Sequence, residues 1–121
     1  MTGKIIEPPS LDGINQKPRR ALLSYLAADT DAARGASRDV GLRLERAGEL
    51  AGELRLLTLE RAAFERAAGV WEVLGEEDTR CLALRRAAAA MASLEANLPN
   101  DLREAFSNHP RNEALRILVS A

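Results

Sequence analysis

Few side chains in this sequence are of a type that does chemistry, and none has the neighbours that chemistry needs. His109, the one histidine, stands between Asn108 and Pro110. A metal centre requires Cys, His or carboxylate ligands converging in space, whereas this setting reads as a solvent-facing turn. Cys81, the one cysteine, follows Thr79-Arg80 at the start of a helical pattern, where a helix dipole can lower a thiol pKa. With no second cysteine or histidine to activate or resolve it, it reads as a small buried hydrophobe. Glu76-Glu77-Asp78 lacks the ligand spacing of a calcium loop and reads as helix capping and dipole compensation. Asp29, Asp31 and Glu45 show no pairing for acid–base work. Glycine-rich phosphate loops and nucleophile elbows are absent. The expectation is a chain with no catalytic residues, no metal and no cofactor.

Basic residues gather in three places: Lys17, Arg19 and Arg20; Arg38, Arg43 and Arg46; Arg85 and Arg86. The second group is spaced to line a recognition helix. However, unless the first helix extends to Arg34, the connection from Leu26 to Ser37 exceeds the turn of about three to four residues in a helix-turn-helix. Glu45 and Glu49 also interrupt the stripe. The totals, 17 basic against 18 acidic residues, lack the basic excess of a polyanion-binding domain. A DNA-binding regulator therefore ranks third among the readings, and these arginines read as solvated helix faces.

The elements that would position these groups are helices. Leu50, Leu57, Phe64 and Trp71 recur every seven residues, with Leu54, Ala67, Ala68 and Leu74 between them, while Glu53, Arg55, Glu65, Arg66 and Glu72 take the opposite side. That pattern predicts a helix over Leu54–Leu74, with Leu57, Phe64, Trp71 and Leu74 as core anchors. From Ser37, an expected N-cap, the pattern runs on to Leu74. Gly41, Gly48 and Gly52 imply close packing or a break, since each costs about 1 kcal/mol against Ala in a helix interior. Two helices, Ser37–Ala51 and Glu53–Leu74, joined near Gly52 are expected, with one long helix as the alternative.

An earlier helix is expected from Pro18 to about Arg34, with Leu22, Leu23, Tyr25 and Leu26 as its apolar side and a break threatened at Asp29-Thr30-Asp31. After the turn at Gly75 follow an Ala-rich helix over Asp78–Ala96, with Leu82, Met91 and Leu94 for bulk, and short helices over Asn100–Ser107 and Arg111–Val119. Alternating β-branched runs are absent. The expected fold is all-α: a small bundle or short solenoid of about five to six antiparallel helices in hairpins. Residues 17–121 form the helical domain. Residues 1–16, with Pro8 and Pro9, form an extended or flexible arm.

At 46% hydrophobic but 3% aromatic, the core must come from Leu, Ala and Val. No apolar run approaches the roughly 18–20 residues of a membrane span, and a single cysteine permits no internal disulfide. A soluble cytoplasmic protein is expected.

Helix, turn, helix with small residues at fixed offsets resembles tetratricopeptide-type repeats, whose pattern is W-x2-L-G-x2-Y…A-x3-F…P. With Gly48 on the small residue of the first helix, Phe64 falls on the aromatic of the second and Ala67 on the small position after it. Leu44 and Ala47 stand where Trp and Leu are usual. Glu60, Ala51 and Glu72 replace Ala, Tyr and Pro, and Leu54-Arg55-Leu56-Leu57 replaces the short Gly/Asp-containing turn. The segment Phe64–Leu102 also looks like the end of a helical-repeat array. The resemblance covers about half the chain. It implies a right-handed helical stack whose groove or outer face binds a protein or peptide, with Arg43, Arg46 and Ala51 as partner-binding residues. An adaptor, chaperone-like or regulatory subunit is the leading expectation. The second is a homo-oligomeric assembly burying Leu/Ala faces.

Overall fold

The computed structural model describes the backbone of residues 9–120 and the side chains of residues 16–120. Six helices follow in order: α1 (Pro9–Arg34), α2 (Arg38–Glu53), α3 (Leu57–Leu74), α4 (Glu77–Ala96), α5 (Asn100–Asn108) and α6 (Pro110–Ser120). No strand occurs among the described residues. α3 is the central element, packed between α2 and α4; α1 lies mainly on α2, α6 lies on α4, and α5 joins those last two.

Two expectations about α1 are corrected. It starts at Pro9 rather than near Pro18, so Pro9–Gln16 is helical rather than extended; the rest of the expected arm, residues 1–8, lies outside the described residues. Pro9 fits the first turn, where a missing N–H costs no bond. Pro18 sits inside the helix and forgoes one. Nor does Asp29-Thr30-Asp31 break it. The Thr30 hydroxyl donates to the Leu26 carbonyl at 2.8 Å, and the aspartates reach across to arginines of neighbouring helices, Asp31 to Arg43 of α2 and Asp29 to Arg66 of α3.

Ser37 caps α2, its Oγ accepting the Val40 N–H at 3.2 Å. The chain then breaks at Leu54-Arg55-Leu56, three residues later in α3 than a start at Leu54 would put it. Leu56 N–H bonds the Ala51 carbonyl at 2.8 Å and Arg55 N–H bonds Gly52 at 3.1 Å. The same pair of bonds closes α3, from Glu76 to Trp71 and from Gly75 to Glu72. Such an ending requires one left-handed residue. Gly75 supplies it at φ 75° without strain, whereas at the end of α2 Arg55 adopts φ 60°.

The seam between α2 and α3 explains two of the glycines. A Cβ on Gly41 would lie 2.7 Å from the Trp71 ring, and one on Gly48 would lie 2.6 Å from the Phe64 ring. Each ring therefore sits in a notch that only glycine opens. The notches climb α2 by seven residues as the rings descend α3 by seven, which fixes the antiparallel register. Trp71, Phe64 and Leu44 are the largest fully buried side chains, and alanines fill much of the rest.

That register also places the other two expected anchors. Leu57 falls opposite the turn after α2 and is half-buried. Leu74 falls level with the first residue of α2, beyond the end of the core, and is 37% exposed; it is not a core anchor. On α4, Met91 is buried but Leu82 is 58% exposed. On α1 only Tyr25 of the expected apolar side packs against the core. Ala21 and Ala28 are buried while Leu22, Leu23 and Leu26 are not, because the small face permits the closer approach to α2.

Candidate interaction surface

Across the α2–α4 face, polar groups close over the seated rings. Glu45, which showed no acid–base pairing in the sequence, accepts the Trp71 indole N–H at 2.9 Å. Buried indoles usually find such a partner. Arg86 lies 4.2 Å from the Phe64 ring centroid while donating to Glu49 at 3.1 Å. Arg38 stands 5.8 Å from Trp71 and donates to both Glu76 oxygens at 2.8 Å. Much of this apparent charge is therefore spent inside the molecule.

The acidic run before α4 is divided in the same way. Glu76 meets Arg38, while Glu77 accepts from Arg80 at 3.2 and 3.1 Å. Those bonds hold the Glu77 carboxyl below the ordinary glutamate value. Glu77 and Asp78 occupy the first turn of α4, where the dipole favours them, but Glu76 makes no side-chain cap bond. Cys81, expected to be buried, is only partly so, its Sγ 3.6 Å from Glu77 Oε2. His109 is exposed between α5 and α6, its Nδ1 accepting the Arg111 N–H at 3.2 Å. Among the described residues, no three His, Cys, Asp or Glu side chains are grouped to hold a metal ion.

α6 buries Leu115 in the core and is also held through polar groups. Arg61 of α3 is buried, donates to Asn112 Oδ1 and meets Glu65 at 3.2 Å, yet its Nη2 has no acceptor among the described residues. The Asn112 amide donates to the Phe106 carbonyl at 2.7 Å, and Arg111 reaches Glu65 at 2.9 Å. Arg116 donates to the carbonyl and hydroxyl oxygens of Ser107, tying α6 to α5.

The partner-binding candidates separate on the α1–α2 side. Arg43 and Arg46 line a groove of about 360 Å³ with Ser24, Ala27, Ala47 and Leu50. Asp31 binds the Arg43 guanidinium at 2.8 Å, and that hydrogen bond raises the arginine pKa. Ala51 is fully buried and offers a partner no surface, which corrects that expectation.

Ser24 and Ala27 also border a second hollow, with Gln16, Arg19, Arg20 and Leu23. Two basic groups separate in the sequence thus share one surface. Sequence reasoning put Leu22, Leu23 and Leu26 on the inward side of α1, whereas all three are exposed and Leu23 borders this hollow. The available signal was Ala21 and Ala28, seven apart, which define a small-residue stripe on the side of α1 away from Leu22 and Leu26.

No family model, curated protein or solved structure matches this chain. No helix among the described residues is long and apolar enough to cross a membrane.

Proposed function

We propose that this chain is a non-enzymatic helical interaction module, an adaptor or regulatory subunit that recognises another protein. The observation that carries it is the apolar surface left in water on α1, where Leu22, Leu23 and Leu26 are 46%, 57% and 46% exposed and Leu23 borders a hollow with Arg19 and Arg20. Contiguous apolar surface rimmed by polar groups marks interaction sites. A tetratricopeptide-like origin draws support from the contact of Gly48 with Phe64, the small and aromatic positions of that repeat. The test is a photo-crosslinking amino acid placed in turn at Leu23, Leu82 and Leu118, in the cells that make the protein. At least one position is expected to capture a protein of a different mass. Silence at all three would remove the reading.

Self-association is the second reading, favoured by leucines and isoleucine exposed on other helices: Leu82, Leu102, Ile117 and Leu118. Light scattering over a concentration series separates the two. Obligate assembly predicts a constant multimer, and the leading reading predicts a monomer that captures a foreign chain.

A further inference from the structure

We infer that α5 and α6 form a cover over the α3–α4 face that opens as one unit while α1 to α4 stay folded. This opening goes beyond the interaction-module reading and does not depend on what the chain binds. The two helices are fastened to each other. The Asn112 amide donates to the Phe106 carbonyl at 2.7 Å, and Arg116 donates to the Ser107 carbonyl and, at 3.0 Å, to its hydroxyl. Their grip on the other helices is thinner. α5 has no buried residue and α6 has Asn112 and Leu115, while Phe106 and Val119 are partly buried against the core. A hollow of about 420 Å³ remains beside α6, bounded by Ala68, Gly69 and Leu84 on one side and Ala114 and Leu118 on the other. A Cβ on Gly69 would meet nothing within 4 Å, so this glycine seats no ring as Gly41 and Gly48 do.

The closed contact also opposes itself. Arg61 is 7% exposed, and its Nη2 has no acceptor among the described residues. A charged donor taken from water and left unpaired disfavours burial. Opening returns it to solvent, which offsets part of the loss of Leu115 from the core. Detached, α5 and α6 are 9 and 11 residues long. Isolated helices shorter than roughly 12–15 residues are marginal in water, so detachment and unwinding coincide. Residues 97–99, between α4 and α5, are the pivot.

Native-state hydrogen exchange of the full chain, followed peptide by peptide in urea below the unfolding transition, tests this. Peptides of α5 and α6 should exchange together, about a hundredfold or more faster than the buried part of α3. Their urea dependence should be shallow because the opening exposes little surface, whereas α3 should show the steep dependence of global unfolding. Gly48→Ala, which strains the α2–α3 seam kept in the open form, should quicken α3 and leave α5 and α6 unchanged. Leu115→Ala should quicken α5 and α6, and the modification of Arg61 by phenylglyoxal, by about tenfold or more. α3 should remain the slowest to exchange.

One urea dependence shared by α3, α5 and α6 overturns the inference, as does a Gly48→Ala variant that quickens all three alike. So does exchange graded along the chain toward Ser120, which is end fraying, or Arg61 modification that Leu115→Ala leaves unchanged.

Discussion

The α2–α3 seam and the outward side of α1 draw on similar apolar side chains and use them in opposite ways. In the seam, glycines remove every atom between backbone and ring, so Phe64 and Trp71 are fully enclosed. On α1 the alanines turn inward and the leucines stay outside, leaving about half of each exposed. Hydrophobicity alone therefore does not locate the core of this chain. What locates it is where small residues let two helices approach closely enough to exclude water.

The contrast can be broken most directly with large deletions. Trp71→Ala or Phe64→Ala should cost about 3–5 kcal/mol, since each empties a notch that no neighbour can fill. Leu23→Ala should stay within about 0.5 kcal/mol, as for exposed sites generally. Urea denaturation of the three variants measures both; comparable losses would erase the distinction.

The attachment of α6 makes an intermediate case, polar and buried together. Asn112→Ala should cost about 2–3 kcal/mol, because it leaves the enclosed Arg61 guanidinium short of an acceptor and the Phe106 carbonyl without its donor. The same denaturation series reads it.

A sharper comparison lies within α2. Gly48→Ala gains about 1 kcal/mol of helix preference but forces the enclosed Phe64 ring aside, an overpacking cost of about 1–3 kcal/mol, so the variant should be less stable. At Gly52 the atom in the way is the Glu60 carboxylate, 2.8 Å from the would-be Cβ, at the end of a side chain free to move. Gly52→Ala should therefore be neutral or up to about 1 kcal/mol more stable. Thermal melts of the pair decide whether the ring or the glycine itself sets the constraint.

The smallest expected effect is the pH response of Glu77. Its folded-state pKa lies below the ordinary value, so the pairing with Arg80 contributes stability above the unfolded value and loses it as pH falls through the folded one. Melts of wild type and Glu77→Gln should differ near neutrality and converge in acid.

Much of this architecture was legible in the sequence because it followed from spacing. The all-helical class, the Ser37 cap, the Gly75 turn and the enclosure of Phe64 and Trp71 rest on period and local residue chemistry. The failures lie where a helix's rotation depends on its neighbour. Leu22, Leu23 and Leu26 form as good a stripe as any, and only the closer fit of Ala21 and Ala28 against α2 turns them outward. Leu74 continues the α3 pattern, yet it lies level with the beginning of α2 rather than its middle. The candidate surface was half legible for the same reason: Arg43 and Arg46 were evident, but only the α1–α2 crossing joins them to Arg19 and Arg20.

The paired notches also restrict how the hairpin can be misassembled. Displaced by one heptad in either direction, only one ring could find a glycine: Trp71 would reach Gly48 while Phe64 met Arg55, or Phe64 would reach Gly41 while Trp71 met Arg34. A mistaken alignment thus strands an aromatic ring beyond the helix that should shelter it, and α2 and α3 have one way to close.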